Sequence, residues 1–320
     1  MAMKGNAIPF ESRRRAFLLR LIGAALLALG LLAAVLGPVE MYCFYLFSEG
    51  GRFHYEGFRF GSFMFGNLAA QVLGYYFIAT LLLPIGYGTL RLRRWARHLA
   101  LAMLQFWVVA GLPLIVACFF VLISSKDAAW PVILLAGILL AASYLLLPGL
   151  GERFYNHPRT KAIFEAGGIG LTWIETIPVP LLGLGFVFAF FILILHAQIF
   201  FNGVFPLFGV WLRGLQGIMF IEGGILSLLA ILWGTLRARR WAWWAAMLYF
   251  CTLAICYITT LLSSSWAAML AAANFPALEM EMLQGMPLHG YHFAVLAGLP
   301  FLLVIYLIVR ARPSFNAAHL

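Results

Sequence analysis

The sequence predicts an all-α integral membrane protein of about eight transmembrane helices, arranged as two parallel four-helix repeats. Three observations carry that prediction. Of 320 residues, 64% are hydrophobic and only 10% charged, too little polar surface for a water-soluble globule. Apolar runs of about 20 residues, enough to cross a bilayer, recur along the chain. Finally, one turn is written twice. Gly88-Thr89-Leu90-Arg91-Leu92-Arg93-Arg94-Trp95-Ala96 returns as Gly234-Thr235-Leu236-Arg237-Ala238-Arg239-Arg240-Trp241-Ala242, identical at eight of nine positions and 146 residues away. Repetition at that distance divides the chain into halves, residues 1–160 and 161–320.

Taken in order, the runs place helices near 17–38, 68–90, 98–123, 130–149, 178–198, 215–236, 241–263 and 291–309. The first follows Arg13, Arg14, Arg15 and Arg20 as a signal peptide would. No small-residue cleavage site follows it, so it reads as a span. The stretch from Ile163 to Phe201 is too long for one upright helix, and Pro178 and Pro180 should divide it, since proline removes a backbone donor and clashes with the preceding turn. The part before them, 164–177, then lies along the interface or forms a broken extension.

Eight spans put 17 of the 21 Lys and Arg residues on the side of the termini. The positive-inside rule makes that side cytoplasmic, in a multi-pass membrane protein. An even number of spans per half gives both halves one orientation, related by an axis along the membrane normal. Net charge of +10 therefore reflects topology, and nucleic acid is not expected as a partner. Cys118, Cys251 and Cys256 lie within apolar runs, without CxxC spacing, and read as packing residues.

A four-span unit with Gly-x-x-Arg-x-Arg-Arg-Trp-Ala after its second helix and a basic, proline-containing tail after its fourth (Pro158 with Arg159 and Lys161; Arg310, Arg312 and Pro313) resembles small bacterial membrane-protein families of unknown function, here duplicated in tandem. The resemblance implies a bacterial membrane location. It implies no activity and transfers no functional residue.

Three longer far-side segments remain, and the first two are rich in rings. Residues 40–66 carry Tyr42, Phe44, Tyr45, Phe47, Phe53, Phe58, Phe60 and more, and 196–214 carry Phe200, Phe201, Phe205, Phe208 and Trp211. The third, 263–290, contains Pro276 through Gly285, a short helix begun by proline and ended by glycine. Such loops lie half-buried on the outer leaflet.

Candidate functional residues are few. Arg91, Arg93, Arg94, Trp95, Arg237, Arg239, Arg240 and Trp241 read as topology anchors, with guanidinium at lipid phosphates and indole in the headgroup layer. Glu222 lies about 10 Å below the end of its span at ~1.5 Å per residue. A carboxyl there is costly, so it should face another helix and find a polar partner; Tyr76 occupies the matching position of the first half. Glu175, just before the prolines, reads as a solvated boundary residue. His54, His196, His289 and His292, with Met282 and Met286, supply imidazole and thioether on the outer side, a chemistry suited to copper or to haem, although their spacing matches no tight ligand motif and no cofactor is expected. No P-loop, G-x-G-x-x-G, H-E-x-x-H or G-x-S-x-G occurs, and Asp127 is the sole aspartate, which removes aspartate-based metal chemistry.

The sequence thus supports a non-enzymatic membrane protein, a structural, sensory or accessory subunit whose aromatic outer face meets lipid or other membrane subunits. The alternative is a transporter or binding protein for a small lipophilic or protonatable solute near Glu222, and the third reading is outer-face metal or haem binding.

Overall fold

The computed structural model describes residues 10–48, 50–55, 57–124, 129–167, 172–285 and 288–317. Among them eight helices are long and apolar enough to cross a membrane. These are α1 (Phe10–Phe47), α2 (Phe63–Leu90), α3 (Arg94–Ser124), α4 and α5 (Trp130–Ala141 and Leu147–Asn156), α8 (Val179–Ile199), α9 (Gly214–Leu236), α10 (Arg240–Ser263) and α13 (Gly290–Ala317). A five-residue π-helical segment, Ala142–Leu146, joins α4 to α5 in one span. The chain is therefore an all-α polytopic membrane protein. Short helices α6 (Pro158–Ala166) and α7 (Trp173–Thr176) precede α8, which begins directly after Pro178. The prolines break the long run where the loss of a backbone donor says they must. Helix α11 (Trp266–Ala273) and α12 (Ala277–Gln284) occupy the last far-side loop, and α12 lies between the expected Pro276 and Gly285.

Helix α1 is held almost entirely by α2 through a glycine seam. Gly23, Gly30 and Gly37 are spaced by seven, and so are the residues they meet, Leu90, Leu83 and Tyr76. A Cβ at Gly23 would lie 2.4 Å from the Leu90 backbone nitrogen, and one at Gly86 would lie 2.5 Å from that of Leu27. The backbones touch, as small residues permit in lipid, where packing rather than water exclusion drives association. The seven-residue step keeps the seam facing its partner along the whole crossing.

The fifth span, α8, is the centre of the molecule. Half of its apolar window is buried, against 11% for the fourth span. It packs on α2, α3, α9 and α13. Leu181, Leu184, Val187 and Phe188 are at most 2% exposed, and they join α3, α9, α10 and α13 in the main core. A smaller cluster gathers Leu19, Ile85, Leu101, Tyr155 and Phe164 from the first half and α6.

The two arginine turns share one backbone. Leu92 and Ala238 both have φ of +52°. Arg93 N–H donates to Gly88 O at 2.8 Å and Arg239 N–H to Gly234 O at 2.9 Å. Arg91 lies over the Tyr87 ring at 5.8 Å and Arg237 over that of Trp233 at 4.6 Å. Trp95 and Trp241 fold back on the preceding helix, and a Cβ at Gly88 or Gly234 would come within 2.6 Å of the indole. Glycine at the start and tryptophan seven places later are thus one packing unit, so the motif staples consecutive helices through a left-handed residue.

On the far side the rings pack largely on one another. Phe44, Phe58, Phe60, Phe65 and Phe200 form one chain of contacts, and Phe63 meets both Phe201 and Phe275. A two-stranded hairpin, β1 (Phe205–Leu207) and β2 (Val210–Leu212), interrupts the helical pattern. Its two-residue loop, Phe208-Gly209, has φ of +45° and +89°, the primed turn that matches strand twist. Asn202 binds the loops together, donating to Gly61 O at 3.2 Å and Ala273 O at 2.8 Å.

Candidate functional site

The residues singled out from sequence do not converge. Glu222 is exposed on α9, in a stripe with Leu215, Met219, Leu226 and Leu229, all exposed. The expected position between helices is corrected: the buried face of α9 carries Gly217, Ile221, Ile225 and Leu228, and helical spacing turns residue 222 away from it. Among the described residues Glu222 makes no hydrogen bond or ion pair. Tyr76 fills the slot over Gly37, its hydroxyl 4.0 Å from Met41 Sδ.

Glu175 is also corrected. Its side chain is 3% exposed and lies 3.8 Å from Arg94 of the first arginine turn. Its carboxylate accepts from Thr172 N–H at 2.8 Å, capping α7.

The copper or haem set is dispersed. His54 is exposed in the first far-side loop, and His196 Nδ1 sits 2.9 Å from Ile192 O one turn back. His289 and His292 are neighbours, with ring centroids 5.5 Å apart, but His292 Nδ1 accepts the His289 backbone N–H at 3.1 Å. Met282 is 67% exposed, and Met286 lies outside the described residues. Among the described residues no three His, Cys, Asp or Glu side chains gather as a metal site would require.

What the fold does assemble is a seam where the two halves meet, between α3, α8 and α13. Two cavities follow one another along it, sharing Val109. The first, about 350 Å³, lies toward the side of the termini. Its body is Leu104, Val108, Leu184, Val187 and Leu303, and Gln105, Glu152, Tyr306 and Arg310 supply its polar groups. Gly183 permits the approach here, since a Cβ would lie 2.6 Å from Gln105 Oε1.

The second cavity, about 330 Å³, extends to the far side among Phe190, Phe191, Leu253, Leu296 and Phe301. It is lined as well by Pro113 of α3 and Pro300 of α13. Each proline removes a backbone donor, so the carbonyls of Val109 and Leu296 lose their usual helical partners. Both residues line the cavity. Gln198 and Tyr257 close its far end, the amide nitrogen donating to the tyrosine oxygen.

A larger concavity of about 770 Å³ lies between α9 and α10, beside Phe208, Gly223, Ser227 and Tyr249. It is a more open groove, which covers less of a ligand than the seam cavities. Glu222 does not line it.

The seam escaped sequence reading because its parts come from α3, α5, α8, α10 and α13, and each alone looks like ordinary apolar helix. The available signal was proline inside two spans, Pro113 and Pro300, which sequence can locate but cannot pair. Comparison with protein-family models, curated proteins and solved structures finds no match to this chain.

Proposed function

We propose that the protein is a non-enzymatic membrane protein that binds a small lipophilic or amphipathic molecule in the seam between its halves, and transfers or presents it across the bilayer. The carrying observation is the pair of cavities stacked along α3, α8 and α13, with apolar bodies and polar groups toward opposite membrane faces. Their volumes fall near the lower end of those typical of ligand sites, about 300–1,000 Å³. The sequence-based alternative of a solute-binding protein is kept, and its site moves from Glu222 to the seam. The accessory role is the second reading, and it rests on the far-side rings left exposed, Tyr42, Tyr45, Phe53 and Phe208 among them.

The test is extraction and mass spectrometry of protein purified in mild detergent, comparing wild type with Ala297→Trp and Leu303→Trp. One compound should be retained at roughly one per chain, and either tryptophan should reduce it by about tenfold with helix content and melting unchanged. A wild-type protein carrying nothing above the detergent background overturns the reading.

We place both termini in the cytoplasm, on the 17 of 21 basic residues gathered at one side, and the protein in the bacterial inner membrane, on the resemblance of its repeated turn to small bacterial membrane-protein families. We read the halves as tandem copies in one orientation, supported by their matching turns. Reporter fusions at Arg94 and Arg240 should both signal inside and a fusion at Ala271 outside. An outside signal at Arg240 sinks both statements.

A further inference from the structure

The far-side cavity has one chemical feature the apolar walls do not explain. Gln198 stands at the last turn of α8 and gives its amide nitrogen to the hydroxyl oxygen of Tyr257. The other end of the amide, Oε1, is buried and without a hydrogen-bond partner among the described residues. A buried acceptor left unpaired is costly and uncommon, and it marks a place where a second molecule completes the pairing. Around it the wall is aromatic. Phe191 and Phe301 have ring centroids 5.8 Å apart, and Phe301 and Tyr257 5.7 Å apart. Such rings present edges and faces to a further ring.

Resting on the seam reading above, we propose that this cavity selects a lipophilic phenol, with Gln198 as the residue that recognises its hydroxyl. The hydroxyl donates to Oε1 at the polar end, and the aromatic body lies against Phe191 and Phe301. A substituent extends toward Val109 and the middle of the membrane. The class follows from the amide. One amide end is engaged by Tyr257, so a single ligand group faces the other. A hydroxyl both donates and accepts, and so it satisfies that end in either orientation of the amide. An ether only accepts, and a charged amine would carry its charge among phenylalanines, where desolvation opposes it.

The probes are 4-butylphenol, its methyl ether and butylbenzene, titrated against the full chain in lipid nanodiscs and corrected for partition into empty nanodiscs. On wild type the phenol should bind about tenfold tighter than the ether or the hydrocarbon, the scale of one hydrogen bond to a desolvated acceptor. Gln198→Leu should bring the three within about twofold of one another, and Ala297→Trp should abolish binding of all three. Equal affinity for phenol and ether on wild type, or discrimination that survives Gln198→Leu, overturns the proposal and leaves the seam standing as a binding site. Failure of every probe to bind wild type overturns both. If Gln198→Leu does not fold, the wild-type comparison still decides.

Discussion

Glu279→Leu is expected to destabilise the protein by about 3 kcal/mol, through loss of a buried charged acceptor. Glu279 belongs to α12 and is 4% exposed, yet its carboxylate reaches the start of α2. It accepts from Phe63 N–H at 2.7 Å, Met64 N–H at 3.0 Å and the Tyr55 hydroxyl at 3.3 Å. Ser62 takes the next donor, Phe65 N–H, at 3.2 Å. All four donors a helix leaves open at its start are thus paired inside the protein, Ser62 N–H by Arg59 O at 3.0 Å and two of the others by a residue more than 200 positions away. A negative group there is also favoured by the helix dipole. Leucine strands two buried N–H groups and unties the first far-side loop from the last.

Glu279→Gln keeps an acceptor oxygen without the charge and should recover about half of that loss. The measurement is the unfolding midpoint in mixed micelles for the three proteins. Equal midpoints for leucine and wild type would falsify the latch. Burial first, and then the charge of Glu279, push the Tyr55 hydroxyl above its usual value. A raised tyrosine favours the neutral donor in the fold. Its contribution is complete below the ordinary tyrosine value of about 10 and falls away as pH rises past the folded-state value.

Gly86→Leu is expected to cost about 3 kcal/mol and to release α1 from α2. The obstruction is backbone, Leu27 N at 2.5 Å and Leu27 Cα at 2.9 Å from a Cβ at this position, so no side chain can swing aside. Gly74, in the same helix, is the matched control, because a Cβ there meets nothing within 4 Å. Gly74→Leu should melt with wild type while Gly86→Leu melts well below it. The loss at Gly86 should also appear as protease access to α1, whose main partner is α2, with lighter contact to α6. Identical melting of the two variants would remove the seam as the hold on α1.

The spans and the break before α8 were legible in the sequence, because hydropathy over about 20 residues and proline both act locally. Residues 277–284 were legible as a helix for the same reason. The glycine seam was present as a step of seven from Gly23 to Gly37, but nothing in the chain marks α2 as its partner. Glu175 read as a solvated boundary residue and Glu279 gave no signal at all, since a carboxylate that caps a backbone is indistinguishable locally from one in water. Glu222 failed in the opposite sense: the cost of an intramembrane carboxyl argued for burial, and the packing of Ile221 and Ile225 turned it outward. The hairpin around Phe208-Gly209 is too short to leave a strand period. The seam cavities were least legible of all, being an absence of atoms among helices that lie far apart in the chain.

The central place of α8 has a consequence for biosynthesis. It is the fifth span to leave the ribosome, and α2 and α3 both rest on it. Until it inserts, the first four spans must wait in the bilayer with the α3 surface around Ala102 and Val109, buried in the finished core, turned to acyl chains. Lipid tolerates that delay as water would not, because hydrocarbon is as good a neighbour for these side chains as protein. The nascent protein therefore matures from its middle outward, with the first half docking onto a helix encoded after it. Two polypeptides divided between residues 167 and 172 should then assemble when made together in one membrane, and the first made alone should remain a loose bundle awaiting its axis.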